Sequence, residues 1–398
     1  MKNEEQKMIG VLLRLERMKQ RMGQKEVCYG ICVPSYLSKI EHGTVAADNK
    51  ILEELFHRLG ITYISDEAFC NTYQPKIEKY FEQLCYALKT DYTYTELKAV
   101  EDRLSYSRFV IDWLLIEGFE CKKMPDLLSE LEESMTDTQK AYYMILQFLR
   151  KPVQKEYQEN VEKAFAILKN SYSLLVCCYS YMEQLRYTEL HKVESQLTAL
   201  ALEEGNIYAL AYYYFLKGSI YATVDMEETM MTYYQRVIRM LQNTNWANDI
   251  GDVYYNMGAT CLSLHKYDMA LEYLEKVPDF TLGWHKRALA SIRKGDIEKG
   301  KEFLEKMYDA MFNEEEKDEL SMLRYEEACW ECREHFLENP DYLELLENLV
   351  HQLQKRGRLG GVYFYREILV AAYKKQRKYK KALEFQEGIS SKMLGIEV

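Results

Sequence analysis

The chain has 398 residues, a formal net charge of −11, ten Cys, and only six Pro and eighteen Gly. That length exceeds one small core and implies two or more domains, while sparse Pro and Gly among abundant Leu, Glu, Lys, Tyr and Met favours helix almost throughout, an all-α fold. No apolar run approaches the ~18 residues of a membrane span, the start MKNEEQKMIG has no cleavable-signal pattern, and unpaired-looking Cys (Cys177 beside Cys178) fit a reducing compartment; a cytoplasmic protein with no membrane partner is expected.

Charge divides unevenly. Residues 1–60 hold ten Lys and Arg against eight Asp and Glu, leaving 42 against 55 for the remainder. An acidic body repels a phosphate backbone, so any nucleic-acid contact is confined to the N-terminal segment.

Residues 8–22 place Ile9, Leu12, Leu13 and Leu15 at helical spacing. Gln24 to Gly30 predicts a second short helix with Val27 and Cys28 inward. Pro34 suits the first turn of a third, where its missing N–H costs nothing. Leu37 and Ile40 are that helix's inward positions, and Gly43 follows it as a C′ glycine. Asp48 is placed to cap a fourth helix whose Ile51, Leu52, Leu55 and Leu59 form one stripe.

Residues 10–61 resemble the Xre-type helix-turn-helix domain of phage repressor and Cro proteins. Arg14 and Arg17, Gln24 opening the second helix, and the run YLSKIEHG closing the third carry the likeness. The resemblance implies a DNA-binding domain over residues 1–65. Gln24 would touch a phosphate, Ser35 and Lys39 would face base edges, and Tyr36 would lie against the backbone of a double-stranded DNA operator. It also implies an internal ion pair between Arg17 and Glu41. Two departures are present: Pro34 stands where relatives often carry a polar base reader, and the loop GTVAAD lacks a basic residue.

Beyond residue 65 a repeat emerges. Gly258, Ala288 and Val370 are each followed twelve positions later by a small residue (Ala270, Gly300, Ala382) and nine positions later by Tyr267, Ile297 and Tyr379. Gly218 with Met230 is a weaker member. Small residues at this spacing let paired antiparallel helices approach closely. The segments resemble tetratricopeptide repeats, clearly over 205–310 and 360–390 and in degenerate form over 66–204 and 311–359. Residues 66–398 are thus expected to form a TPR-like α-superhelix.

Two positions before the small residue lies ~200° around the helix, away from the hairpin partner. Asn256 and Lys286 stand there, and in peptide-binding repeats of this type such positions contact a peptide backbone or carboxylate. Tyr255, Ser263 and Arg293 occupy neighbouring arcs, and Tyr212 and Phe215 would add apolar contact.

Little else suggests chemistry. The CWEC run at Cys329 and Cys332 has no second pair, the seven His show no HExxH spacing, and neither a Gly-rich loop after a strand nor a GxSxG elbow occurs. Neither an enzyme, a metal site nor a cofactor is expected. The basic run KKQRKYKK spans a helical turn beside Glu384 and Glu387 and reads as solvated surface.

An Xre-type head followed by TPR-like repeats resembles the RRNPP group of peptide-sensing transcription regulators, which includes Rgg, PlcR, NprR and PrgX proteins. That likeness implies a homodimer that senses a short signalling peptide in quorum sensing and changes its DNA binding in response. The alternative is a TPR scaffold that docks a protein partner, its N-terminal unit serving dimerisation or docking.

Overall fold

A computed structural model describes residues 2–63, 67–121, 124–151, 155–184, 186–223, 226–313 and 318–393. The described residues are helical and contain no β-strand. Contacts divide the chain into two compact units, residues 1–180 and 181–398. The boundary expected at residues 65 and 66 lies outside the described residues.

In chain order, α1 (Lys2–Lys19), α2 (Gln24–Val27), α3 (Pro34–Glu41), α4 (Asn49–Arg58), α5 (Glu67–Cys85) and α6 (Asp91–Lys98) come first. They are followed by α7 (Glu101–Ser105), α8 (Val110–Glu120), α9 (Leu127–Leu131), α10 (Asp137–Arg150), α11 (Lys155–Leu168) and α12 (Ser171–Glu183).

The first four helices form where the sequence predicts them. Pro34 is the first residue of α3, and the Asp48 carboxylate accepts from the Lys50 N–H at 2.9 Å to cap α4. Gly43 adopts φ 63°, and its N–H closes on Ile40 O at 2.9 Å. The second helix stops at Val27 rather than continuing to Gly30, and Leu15 is only half-buried. Leu13, Val27, Leu37, Ile40, Leu55 and Phe56 fill one core. Gly10 marks the closest approach of α1 to α3, since a Cβ there would collide with the Ile40 carbonyl.

That core does not end with α4. Val110, Ile111 and Leu115 of α8, Leu128 and Leu131 of α9, and Tyr142, Tyr143 and Leu146 of α10 belong to it. The expected N-terminal domain therefore shares its interior with helices more than fifty residues away, because α1 packs on both α3 and α9.

The second unit contains α13 (Tyr187–Lys192), α14 (Glu194–Glu204), α15 (Ile207–Thr223), α16 (Glu227–Leu241), α17 (Ile250–Ser263) and α18 (Tyr267–Leu274). Then come α19 (Thr281–Lys294), α20 (Ile297–Asn313), α21 (Glu319–Glu331), α22 (Pro340–Lys355), α23 (Leu359–Lys375) and α24 (Tyr379–Met393). Each odd helix from α15 to α19 packs on its successor and on the next odd helix, the contact pattern of stacked helical hairpins.

The repeat spacing now has a structural meaning. Tyr267, Ile297 and Tyr379, the residues nine positions on, are the first residues of the returning helices α18, α20 and α24. Two residues before each, His265, Gly295 and Arg377 adopt φ of 58°, 101° and 59°, so one left-handed turn residue closes each hairpin. Gly258 faces Leu274 and the Ala270 carbonyl, Gly300 faces Ile292, and Gly218 lies against the Tyr234 ring. A larger residue at any of these sites would separate the paired helices.

Candidate functional site

The second unit contains a half-open cavity of about 740 Å³, within the range of ligand pockets. Its walls come from the C-terminal turns of α15 (Ser219, Ile220, Thr223), from α17 (Tyr255, Asn256, Ser263), from α19 (Lys286, Arg293), and from Arg324 of α21. A further wall comes from α23 through residues 363–368 and Ala371, and Met182, Glu183, Tyr187 and Tyr234 also line the cavity. Helix α23 reaches this position although it is some eighty residues from α19 in sequence. Tyr365 Oη lies 3.4 Å from His285 Nε2, and Glu367 pairs with His265 at 3.4 Å.

Five of the seven residues expected to bind a peptide line the cavity: Tyr255, Asn256, Ser263, Lys286 and Arg293. Asn256 stands beside the Tyr234 hydroxyl, which Ser219 Oγ also meets at 3.2 Å. Ser263 returns its hydroxyl to Ala259 O at 3.2 Å, a local helical bond that leaves its lone pairs facing the cavity.

Tyr212 and Phe215 do not line it. The cavity meets α15 only at its C-terminal turns, and these two rings lie earlier on the helix. Tyr212 stacks on Tyr208 (centroids 6.0 Å apart), Tyr208 meets Trp246 (5.5 Å), and Phe215 packs on Tyr234 (6.0 Å). They are packing residues behind the wall.

The charges around the cavity are more closely organised than a solvated face would be. Arg293 makes a two-point pair with Glu331, Nε to Oε2 at 2.8 Å and Nη2 to Oε1 at 2.6 Å. Burial pushes the Glu331 carboxyl up, but the Arg293 guanidinium more than offsets this and holds it below the usual carboxylate range. One turn earlier Glu327 is wholly buried, and burial followed by the neighbouring Glu331 charge raises its carboxyl well above that range. His285 Nε2 lies 3.4 Å from Glu327 Oε2, while burial and then Lys286 hold the imidazole well below its ordinary value and therefore neutral.

Lys286 was expected on an open face, yet it is only 6% exposed. Its Nζ sits 2.8 Å from the centre of the Phe364 ring, and burial, then Arg324 and Arg293, depress its proton affinity well below that of a free lysine. Sequence reasoning missed Arg324, Phe364 and Tyr365. Arg324 lies on α21, in the degenerate stretch 311–359 that no repeat register marks; Phe364 and Tyr365 lie on α23, whose register is marked by Val370, but that register does not say that α23 faces this cavity.

In the first unit, Ser35 and Lys39 are exposed on α3, and Tyr36 is half-buried against the core. Gln24 is engaged internally, its Nε2 donating to Glu41 Oε2 at 2.7 Å. The Arg17–Glu41 pair is present, with Nε to Oε1 at 2.6 Å and Nη2 to Oε2 at 3.0 Å.

Stacked helical hairpins around a ligand-sized cavity define a TPR-like protein. A tetratricopeptide-repeat family model matches residues 251–277, which are α17 and α18. Among solved structures, the crystal structure of a Rap protein complexed with competence and sporulation factor shares the fold, with a TM-score of 0.59 and 16% identity over 81% of this chain and 97% of that one. No curated protein sequence matches the chain. Among the described residues no helix is long and apolar enough to cross a membrane.

Proposed function

We propose that this chain is a cytoplasmic, non-enzymatic transcription regulator whose second unit binds a short signalling peptide and whose N-terminal helices bind an operator in duplex DNA, the whole acting as a homodimer without cofactors. The observation that carries the peptide reading is the convergence of Tyr255, Asn256, Ser263 and Lys286, from consecutive repeats, on one cavity. An Asn amide offers one donor set and one acceptor, the complement of a peptide unit. The fold is one that holds competence and sporulation factor in the Rap complex, which supports the same use here.

The DNA reading rests on the first helices. Exposed Ser35 and Lys39 on α3 are available to base edges, and Lys39 can donate to guanine O6 or N7. Binding of the peptide shifts the protein only if the cavity differs between two shapes of the hairpin stack, since a ligand with equal affinity for both shifts nothing. The shared core of α1–α4 with α8–α10 favours a second reading, in which these helices are an integral part of a protein-docking scaffold.

The deciding experiment measures binding of the full chain to duplex fragments from its own upstream region across a salt series. A regulator shows a steep fall of affinity with salt and loses binding in Lys39→Ala. A scaffold shows neither. Asn256→Ala is expected to abolish the peptide response while leaving DNA binding intact.

A further inference from the structure

We propose that the Lys286 amine is a nucleophile placed to capture the carbonyl carbon of a small uncharged aldehyde as an imine inside the cavity. The inference goes beyond the peptide reading and does not depend on it. Its geometric basis is a lysine in the wall of a ligand-sized cavity with no hydrogen bond or ion pair to any described residue. Its nitrogen meets rings instead: Nζ lies 2.8 Å from the centre of Phe364 and 5.6 Å from that of Tyr365. Such a contact directs N–H groups at a ring face and leaves the nitrogen lone pair free.

The groups around Lys286 favour the free amine. Burial opposes an ammonium there, and Arg324 of α21 and Arg293 on the same helix add to the effect. Glu327 and Glu331 of α21 act in the opposite sense without reversing it. Glu331 is committed to its two-point pair with Arg293, and burial followed by Glu331 raises the Glu327 carboxyl, which favours its neutral form. His285, the preceding residue, is kept neutral by burial and then by Lys286. Burial likewise keeps the Tyr365 hydroxyl of α23 and the Tyr255 hydroxyl of α17 uncharged. A lysine that is desolvated and set beside other cations is the activated form of this side chain.

The reaction balances between the amine and the aldehyde alone. The Nζ lone pair forms a bond to the carbonyl carbon while the C=O π pair moves to oxygen. A proton then passes from nitrogen to that oxygen, giving a carbinolamine. Loss of the hydroxyl group with the second N–H proton leaves C=N and releases one water. No oxidant, reductant or further reactant enters. An uncharged imine needs no counter-ion near Arg293 and Arg324, so the adduct suits a site that disfavours an ammonium. The apolar part of the aldehyde would rest on Tyr255, Tyr363 and Phe364, which line the same cavity.

Benzaldehyde with sodium cyanoborohydride is the probe, applied to the full-length protein at neutral and mildly acidic pH. The hydride reduces each imine to a stable benzylamine, and peptide mass mapping locates the modified lysines. Near neutral pH only about one solvated lysine in a thousand is unprotonated, and that fraction falls ~10-fold with each further pH unit of acidification. Lys286 is expected to be labelled at least ~10-fold faster than the exposed lysines at neutral pH, and its lead should widen in acid. Lys286→Met should remove the fast label and leave the slow ones unchanged. Labelling of Lys286 no faster than that of the exposed lysines overturns the proposal, as does a lead that fails to widen in acid. The parent protein alone decides both outcomes, so neither depends on the folding of the variant. Both leave the peptide reading untouched, since the response of Asn256→Ala tests that separately.

Discussion

Arg293 of α19 and Glu331 of α21 hold each other through two charge-assisted hydrogen bonds of 2.8 and 2.6 Å, with the Glu331 carboxylate almost wholly buried. The pair joins two successive odd-numbered helices of the stack beside the cavity. Arg293 is therefore a strut of the wall, and its role is largely settled before any ligand arrives. Arg293→Leu leaves a buried carboxylate without its partner and is expected to cost ~3–5 kcal/mol in denaturant unfolding. Adding Glu331→Leu should recover most of that loss, because the double variant contains no unpaired charge.

Gly258 tests the close approach within a hairpin. An added Cβ would stand 2.6 Å from Leu274 Cγ and 3.2 Å from the Ala270 carbonyl. Ala has the better helix propensity by ~1 kcal/mol. Overpacking opposes it, and Gly258→Ala is expected to be destabilising by about 1–2 kcal/mol net. Thermal unfolding checks the sign: a rise in melting temperature would show that α17 and α18 can separate freely.

Arg377 makes the opposite case. It is exposed and sits at φ 59°, where the equivalent residue of the α19–α20 hairpin is Gly295. The left-handed region costs a non-glycine residue roughly 1–2 kcal/mol, partly offset by the larger unfolded-state entropy of Gly. Arg377→Gly should stabilise the protein by about 0.5–1 kcal/mol, read as a shift of the urea midpoint at unchanged slope.

Asp112 on α8 gives the fold a pH dependence. Burial raises its carboxyl to about 6, although Gln139 Nε2 donates to it at 2.9 Å and Arg108 favours its charge. The folded protein thus holds a proton between about pH 4 and pH 6 that the unfolded chain has released. Stability contributed by this group is lost as pH rises through that window, on the order of 1–3 kcal/mol by pH 7. Asp112→Asn keeps the acceptor and removes the charge. Urea midpoints at pH 4, 5, 6 and 7 should show a shallower decline for the variant than for the parent, with the largest gain at pH 7.

Much of this was legible in order along the chain. Pro34, Gly43 and Asp48 mark helix ends because capping is a local matter, decided by the residue's own backbone and the next few N–H groups. The Gly258–Ala270 spacing identified a helical hairpin because both partners lie within one turn-length of each other. Asn256 was placed by the same periodicity, and the cavity does open onto it. The same periodicity does not give the burial of Lys286, because the helix angle says which way a side chain points and not what arrives to cover it.

The amino-acid sequence by itself determined the helices, their caps and the hairpin pairing, since each depends on contacts within about thirty residues. Only the tertiary structure decided that α23 returns to close the cavity, that Phe364 meets Lys286 across some eighty residues, and that the α1–α4 core continues into α8–α10. Those arrangements follow from how amphipathic helices stack, and the free energy of stacking is shared among many interchangeable apolar contacts. A pattern of apolar residues states that a helix face will be buried; it carries no mark of which distant helix will bury it.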